Sequence, residues 1–268
     1  MAQDSYPTPD ALTAPQTFAK AQTIGAAKAS MSPRRAFVLA VLAGAFIGLG
    51  GMLMLLAKSD AALGFVVSSL LGGLCFSLGL FAVIVGGAEL FTGNNLMVLG
   101  CWGGSYSVGD LLRSWLVVYA GNFVGSLILA GVLLGADFAG LGSGAVGATA
   151  VAVAATKCSL PLASMFFRGI MCNFLVCLAV WMGFAGKTVV DKFLAAVFPV
   201  TAFVACGFEH CVANMFFLPF GMALATPEVG VTLAGMATNL AVVTAGNIAG
   251  GALFFAGLYW LAFGKREG

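Results

Sequence analysis

The sequence predicts an all-α integral membrane protein with six transmembrane helices, two of them broken in the middle, arranged as an inverted repeat. Three observations carry that prediction. Of 268 residues, 61% are hydrophobic and only 8% charged, whereas a soluble domain runs near about a quarter charged. Uncharged runs long enough to cross a bilayer follow one another along the chain. Two of those runs are interrupted by a buried-type glutamate rather than by a loop, and the two interruptions share a motif. Such a composition excludes a secreted enzyme, a nucleic-acid binder and a disordered regulator. The net charge of +2, from 12 basic and 10 acidic residues, argues for no polyanionic partner.

Residues 1–35 are polar, with Pro7, Pro9, Pro15 and Pro33. No apolar stretch precedes Ala36, so no cleavable signal peptide is expected. Small residues and the spaced Lys20 and Lys28 predict a helix over 14–30 lying near the membrane surface. The run 36–57 is then 22 residues without a charge, which at about 1.5 Å per residue crosses a ~30 Å hydrocarbon core.

Further charge-free runs cover 61–88, 90–109, 114–136, 169–186, 193–208, 211–227 and 229–264. The stretch 138–156 is also uncharged, but its glycines and alanines read as a loop. Glu89 and the pair Glu209-His210 separate neighbouring runs without any hydrated loop. Joining across them gives six crossings in a membrane domain over 36–264, preceded by an N-terminal segment and followed by a short tail, 265–268.

Basic residues fix an expected orientation. With the N-terminus inside, nine fall on the cytoplasmic side: Lys20, Lys28, Arg34, Arg35, Arg113, Lys187, Lys192, Lys265 and Arg266. The outside receives Lys58 and Lys157, with Arg168 at the outer mouth of the fourth span. The positive-inside rule then puts both termini in the cytoplasm. Trp102 with Tyr106, Trp115 with Tyr119, and Tyr259 with Trp260 cluster near span ends, as interfacial anchors or as core packing.

The two interruptions read G-x-E-x-x-x-x-N, from Gly87, Glu89 and Asn94 and again from Gly207, Glu209 and Asn214. Each glutamate is followed 32 or 37 residues later by Gly-Asn-x-x-Gly, at Gly121-Asn122 to Gly125 and at Gly246-Asn247 to Gly250. That order and spacing predict a duplication. Each half holds three crossings, an odd number, so the second copy runs through the membrane inverted. Inverted repeats with broken helices place a site near the bilayer midplane, where half-helix N-termini suit an anion.

An ionisable group at that depth is costly and faces a pathway or a partner. His210 is the one histidine of the chain and sits at the second break; Thr92 stands in the corresponding place at the first and offers a hydroxyl. Glu89 and Glu209 read as supports that hold the breaks through backbone N–H groups rather than as contacts to a permeant. Lys157 either draws anions to the outer mouth or is simply solvated. The seven cysteines lack any C-x-x-C pair and read as small hydrophobes. A soft-metal site from Cys206, His210 and Cys211 is the alternative, without a fourth ligand.

Taken together these segments resemble the formate/nitrite transporter family of microbial inner-membrane anion channels. The matching motifs are GGLCFSLGL at 72–80, AELFT at 88–92, GNFVG at 121–125, NFLVCLAVW at 173–181, GFEH with ANM within 207–215, and GNIAGG at 246–251. The resemblance spans roughly 36–263. It implies an aquaporin-like fold, a homo-pentamer with one pore per protomer, and no cofactor or metal. It places the family's central histidine and threonine on His210 and Thr92, its vestibule lysine on Lys157 and its buried asparagine on Asn173. Its hydrophobic constrictions fall on Phe76, Leu80, Leu90, Phe91 and Phe203, and Asn94, Asn214, Asn122 and Asn247 accompany the glutamates as break supports.

The implied function is passage of a small monovalent anion, with proton coupling expected, formate leading and nitrite or hydrosulfide as alternatives. Gly93-Asn94 follows Thr92 where formate channels carry small hydroxyl residues, which keeps those alternatives open. Whether His210 donates a proton or only polarises the site is also open. A water or glycerol pore of the same fold would need Asn-Pro-Ala at each break, and neither Asn94 nor Asn214 precedes a proline. An enzyme would need H-E-x-x-H or a nucleophile with its base; Glu209-His210 has no second histidine, and Ser77 reads as a serine bonding its own helix.

Overall fold

The computed structural model describes residues 11–264, so the tail with Lys265 and Arg266 lies outside the described residues. All regular structure among the described residues is helical. Helix α1, Ala14–Ala29, opens on a Thr13–Gln16 capping box and buries one face through Phe18, Ala21 and Gly25. Ser32 caps α2, Pro33–Lys58, by accepting from the Arg35 N–H, and Pro33 fits the first turn, where no intrahelical donor is needed. Helix α3, Phe65–Gly86, follows a short turn.

After α3 the chain breaks, then re-forms as a 3-10 turn, Gly93–Met97, and a five-residue helix α4, Val98–Trp102. The run 90–109 therefore forms only a stub of helix. Helix α5, Val108–Gly135, starts on a Ser107–Asp110 capping box. The expected loop over 138–156 is instead a 3-10 turn, Phe138–Gly140, and a 15-residue helix α6, Ala145–Ser159. Its small residues are there for close packing, not for looping: Gly221 meets Ala150 and Ala154 directly.

The second half repeats the pattern with α7, Leu162–Ala185, then α8, Val189–Ala205, then a break, then α9, Cys211–Leu224. The last segment runs from α10, Leu233–Ile248, through a π-helical stretch, Ala249–Ala256, into α11, Gly257–Phe263. The π turn has a local cause. Asn173 donates its side-chain amide to the Asn247 carbonyl at 2.7 Å, an acceptor that an α-helix would reserve for its own next turn.

Five stretches are long and apolar enough to cross a membrane: Pro33–Lys58, Phe65–Gly86, Val108–Gly135, Leu162–Ala185 and Pro227–Phe263. α8, with 17 residues, and the shorter apolar α9 make up the remaining broken stretch. Leu70, Leu116, Phe198 and Leu261 keep half or more of their surface exposed on the outside, whereas Phe76, Phe216 and Phe220 fill the interior. That inside-out apolar surface suits lipid or a protein neighbour, not water.

The two halves match helix for helix. α2 and α7 correspond, as do α3 and α8, the α4 stub and α9, and α5 and α10. Gly121 and Gly125 of α5 lie against the α2 backbone at Phe37 and Val41; Gly246 and Gly250 lie against α7 at Phe166 and Ile170. The repeat extends one helix further than the motifs suggested, because α1 and α6 also correspond, each ending near a lysine, Lys28 or Lys157.

Candidate functional site

Each break begins with a glycine in the left-handed region, Gly87 at φ +69° and Gly207 at φ +68°, a conformation that costs a side-chain-bearing residue. The turn carries the chain off the helix axis and frees backbone groups that lipid cannot satisfy. Asn122 satisfies those of the first break, donating to the Ala40 and Glu89 carbonyls at 2.8 and 2.9 Å and accepting from the Phe91 N–H at 2.9 Å. Asn247 repeats this at the second, donating to the Gly169 and Glu209 carbonyls at 2.8 and 2.9 Å and accepting from the Cys211 N–H at 2.9 Å.

The glutamate side chains behave differently from the sequence expectation. Neither carboxylate caps backbone N–H groups, because the asparagines already serve those groups. Glu89 instead takes the Lys28 ammonium on both oxygens, at 2.9 and 2.8 Å, and the Asn94 amide at 2.8 Å. Glu209 takes Lys157 at 2.8 Å on one oxygen and Asn214 at 2.7 Å on the other.

The two ion pairs differ in one respect. Lys28 also donates to Asn94 Oδ1 at 2.7 Å, so all three of its donors meet protein acceptors. Lys157 makes only the one hydrogen bond and lies over the Phe217 ring, while Asn214 Oδ1 is left without a partner.

Lys28 lies on α1, which places the docking of that helix under a testable constraint. Lys28→Met strands a carboxylate whose side chain is 7% exposed, a change that typically costs about 3–5 kcal/mol. The expected outcome is an undocked α1, read as faster protease cleavage in the 30–33 linker of protein in detergent. Adding Glu89→Gln removes the stranded charge and is expected to slow cleavage again.

Thr92 and His210 meet between the breaks, Oγ1 to Nε2 at 2.9 Å, although 118 residues separate them. His210 caps α9: its Nδ1 accepts the Ala213 N–H at 3.0 Å. An Nδ1 that accepts carries no proton, so the neutral ring holds its hydrogen on Nε2 and donates it to Thr92 Oγ1. The Thr92 hydroxyl hydrogen then remains to donate elsewhere. With both ring nitrogens engaged, His210 has no lone pair for the Cys206–His210–Cys211 metal alternative.

A chamber of about 500 Å³ reaches His210 from the α6 side, lined by Lys157, Phe76 and Phe203 among others. Phe203 stacks on His210 at 6.0 Å and meets Phe76 edge-on at 5.9 Å. A second chamber of about 300 Å³ opens on the α1 side, with Glu89, Leu90, Lys20, Lys28 and Lys192 in its wall. Burial, and then the neighbouring Lys192, pull the Lys20 ammonium below the ordinary lysine range.

Leu80 and Phe91 are buried and line neither chamber; the Phe91 ring packs edge-on to Trp115 and Tyr119. Trp115 and Tyr119 are thus packing residues rather than interfacial anchors. Asn173, expected on the pathway, also lines neither chamber. Its amide hydrogens are both used, on Asn95 Oδ1 at 2.8 Å and on the Asn247 carbonyl, so it ties the two halves together. Lys28 and Asn95 are the partners that motif reading missed; a lysine ending a short helix upstream of each glutamate is the signal that marks the first.

The profile of the formate/nitrite transporter family matches residues 15–261. The formate channel FocA of Haemophilus influenzae is 38% identical over 260 residues, covering 91% of this chain and 92% of that protein. FocA of Escherichia coli is 37% identical over 270 residues, with 94% and 95% covered. A solved structure described as a pentameric formate channel with formate bound superposes with a TM-score of 0.79 at 36% identity, over 87% of this chain and 98% of that one. Family profile, relatives and fold agree with the paired breaks and the His210–Thr92 contact: the chain belongs to the formate/nitrite transporter family, and is a multi-pass membrane channel for small anions rather than an enzyme.

Proposed function

We propose that this channel carries formate across the inner (plasma) membrane as a homo-pentamer of six-span protomers, with both termini cytoplasmic and the α6-side chamber outside. His210 at the inner end of that chamber, with its hydrogen bond to the buried Thr92, carries the reading. The relatives named as formate channels cover nine-tenths of the chain, and the solved pentamer covers nearly as much. Orientation draws support from the chamber walls: Lys20, Lys28 and Lys192 face one end, and Lys58, Lys157 and Arg168 the other.

The mechanism follows from desolvation. A bare carboxylate entering the Phe76–Phe203 girdle loses water and finds no charge partner among the aromatic rings. Thr92 offers it a hydroxyl donor whose oxygen is held and polarised by the His210 Nε2–H. Doubly protonated imidazole would set an N–H against the Ala213 N–H, which favours polarisation by a neutral ring over proton donation by His210. The coupled proton then comes from the water of the α6-side chamber and adds to the hydrogen-bonded carboxylate, which moves on as the neutral acid.

Uptake of formate, nitrite and hydrosulfide into proteoliposomes, with acetate as a size control, tests this. Formate flux is expected to lead, to rise at acidic pH, and to fall about tenfold or more in Thr92→Val, the loss of one hydrogen bond in a dry site. Nitrite flux exceeding formate flux moves the substrate to nitrite, as Gly93-Asn94 after Thr92 would suit. Undiminished proton-coupled flux in Thr92→Val defeats the hydroxyl's role.

A further inference from the structure

The α6-side chamber carries more positive charge than Lys157 provides. Its charged wall consists of Lys58, Lys157, Arg168 and Glu209. Glu209 is fully engaged, one oxygen on Lys157 and the other on Asn214. Arg168 leans on the Gly207 carbonyl at 3.3 Å. Lys58 has no hydrogen bond or ion pair among the described residues, and no second carboxylate lines the chamber to meet it.

The position of Lys58 is built, not incidental. It ends α2, and its stem lies across Gly72 of α3: the site of a Cβ there would stand 3.0 Å from Lys58 Cε and 3.2 Å from Cγ. Glycine thus leaves a notch for the lysine stem. Ser68, one turn earlier on the same face of α3, lines the chamber beside it. An interfacial lysine that merely sought water would need neither the notch nor the inward course.

We propose that Lys58, seated in the Gly72 notch and flanked by the Ser68 hydroxyl, forms with Lys157 a two-cation receiving site for a small monovalent carboxylate at the α6-side mouth. The inference rests on the anion-channel reading and deepens it. Lys157 is tethered to Glu209, so its field is partly cancelled; Lys58 adds uncompensated charge beside it, as Arg168, held by a neutral carbonyl, does in the same chamber. Such a site raises the local anion concentration ahead of the aromatic girdle without touching the dry step beyond it. Its signature is therefore a change in the concentration dependence of flux and not in its ceiling.

The test is initial formate flux against formate concentration in proteoliposomes at low ionic strength. Lys58→Gln is expected to raise the half-saturating concentration about three- to tenfold, the size of one unit charge acting across a partly wet chamber. The maximal rate is expected to stay within about twofold of wild type, and Lys58→Arg to restore the wild-type concentration dependence. Salt at about 0.5 M should erase the difference, since screening then reaches only a few ångströms. Should Lys58→Gln fail to assemble, Lys58→Met, which keeps the stem over Gly72, takes its place. An unchanged half-saturating concentration, or a lowered ceiling alone, overturns the proposal. Wild-type protein that passes no formate overturns the formate reading instead, a separate result.

Discussion

Replacing Asn247 with leucine is expected to cost this protein most of its stability. The substitution leaves the Glu209 carbonyl and the Cys211 N–H without partners at the second break and removes the second donor on the Gly169 carbonyl of α7. Asn247 itself is wholly buried, out of contact with bulk water and lipid. Each stranded polar group costs about 1–3 kcal/mol, so the two together take up a large share of the ~5–15 kcal/mol that holds a typical domain folded. The expected readout is loss of the assembled peak in size-exclusion chromatography after mild heating, at temperatures wild type survives. Asn247→Asp is the informative companion, because it keeps the acceptor for Cys211 N–H and loses only the two donors. If Asn247→Leu melts with wild type, the asparagine bridge is not what closes the break.

Gly250→Leu is expected to be as damaging for a different reason. A Cβ at Gly250 falls far inside the van der Waals contact distance to the Ile170 carbonyl oxygen, as one at Gly125 does with the Val41 carbonyl oxygen. Backbone lines both sides of these contacts, so neither side can rotate away, and α10 must move off α7, or α5 off α2. Overpacking of a side chain onto side chains costs about 1–3 kcal/mol; backbone against backbone is worse. Gly131→Leu on α5, where an added Cβ meets nothing within 4 Å, is expected to leave assembly unchanged. Gly125→Leu and Gly250→Leu protein recovered at the Gly131→Leu level would show that the helices have slack the packing does not suggest.

The legible parts of this molecule were those written in adjacent residues. Charge-free runs locate spans because one buried charge is so costly that its absence over twenty residues has few other causes. Gly87 and Gly207 mark the breaks because each stands two residues before its glutamate. The asparagines at 122 and 247 were visible through a repeated spacing, although their bonds to backbone were not. What stayed hidden lies in pairings between distant segments. Lys28 to Glu89 and Lys157 to Glu209 span 61 and 52 residues without any period to follow. The stretch 138–156 reads as a loop yet folds into α6, because alanine and glycine serve both loops and tight helix contacts and its neighbour α9 decides which. Asn173 fell inside a strong motif, yet its donors face Asn95 and Asn247 instead of either chamber, a direction that a motif does not encode.

The ties that close each break are local to their own half. Lys28, Asn94 and Asn122 secure Glu89 from the first half, and Lys157, Asn214 and Asn247 secure Glu209 from the second. The side-chain contacts Thr92–His210, Asn95–Asn173 and Tyr119–Thr244 run between the two, and none of them involves a break glutamate. A gene encoding one half would thus specify a unit whose costly interior chemistry is already complete, lacking nothing but an antiparallel copy to form a pore. During insertion of the present chain, each glutamate thus finds its lysine as soon as its own half is in place. The halves differ in those lysines, saturated at one mouth and partly free at the other, so either mouth can be altered without undoing the ties of its counterpart.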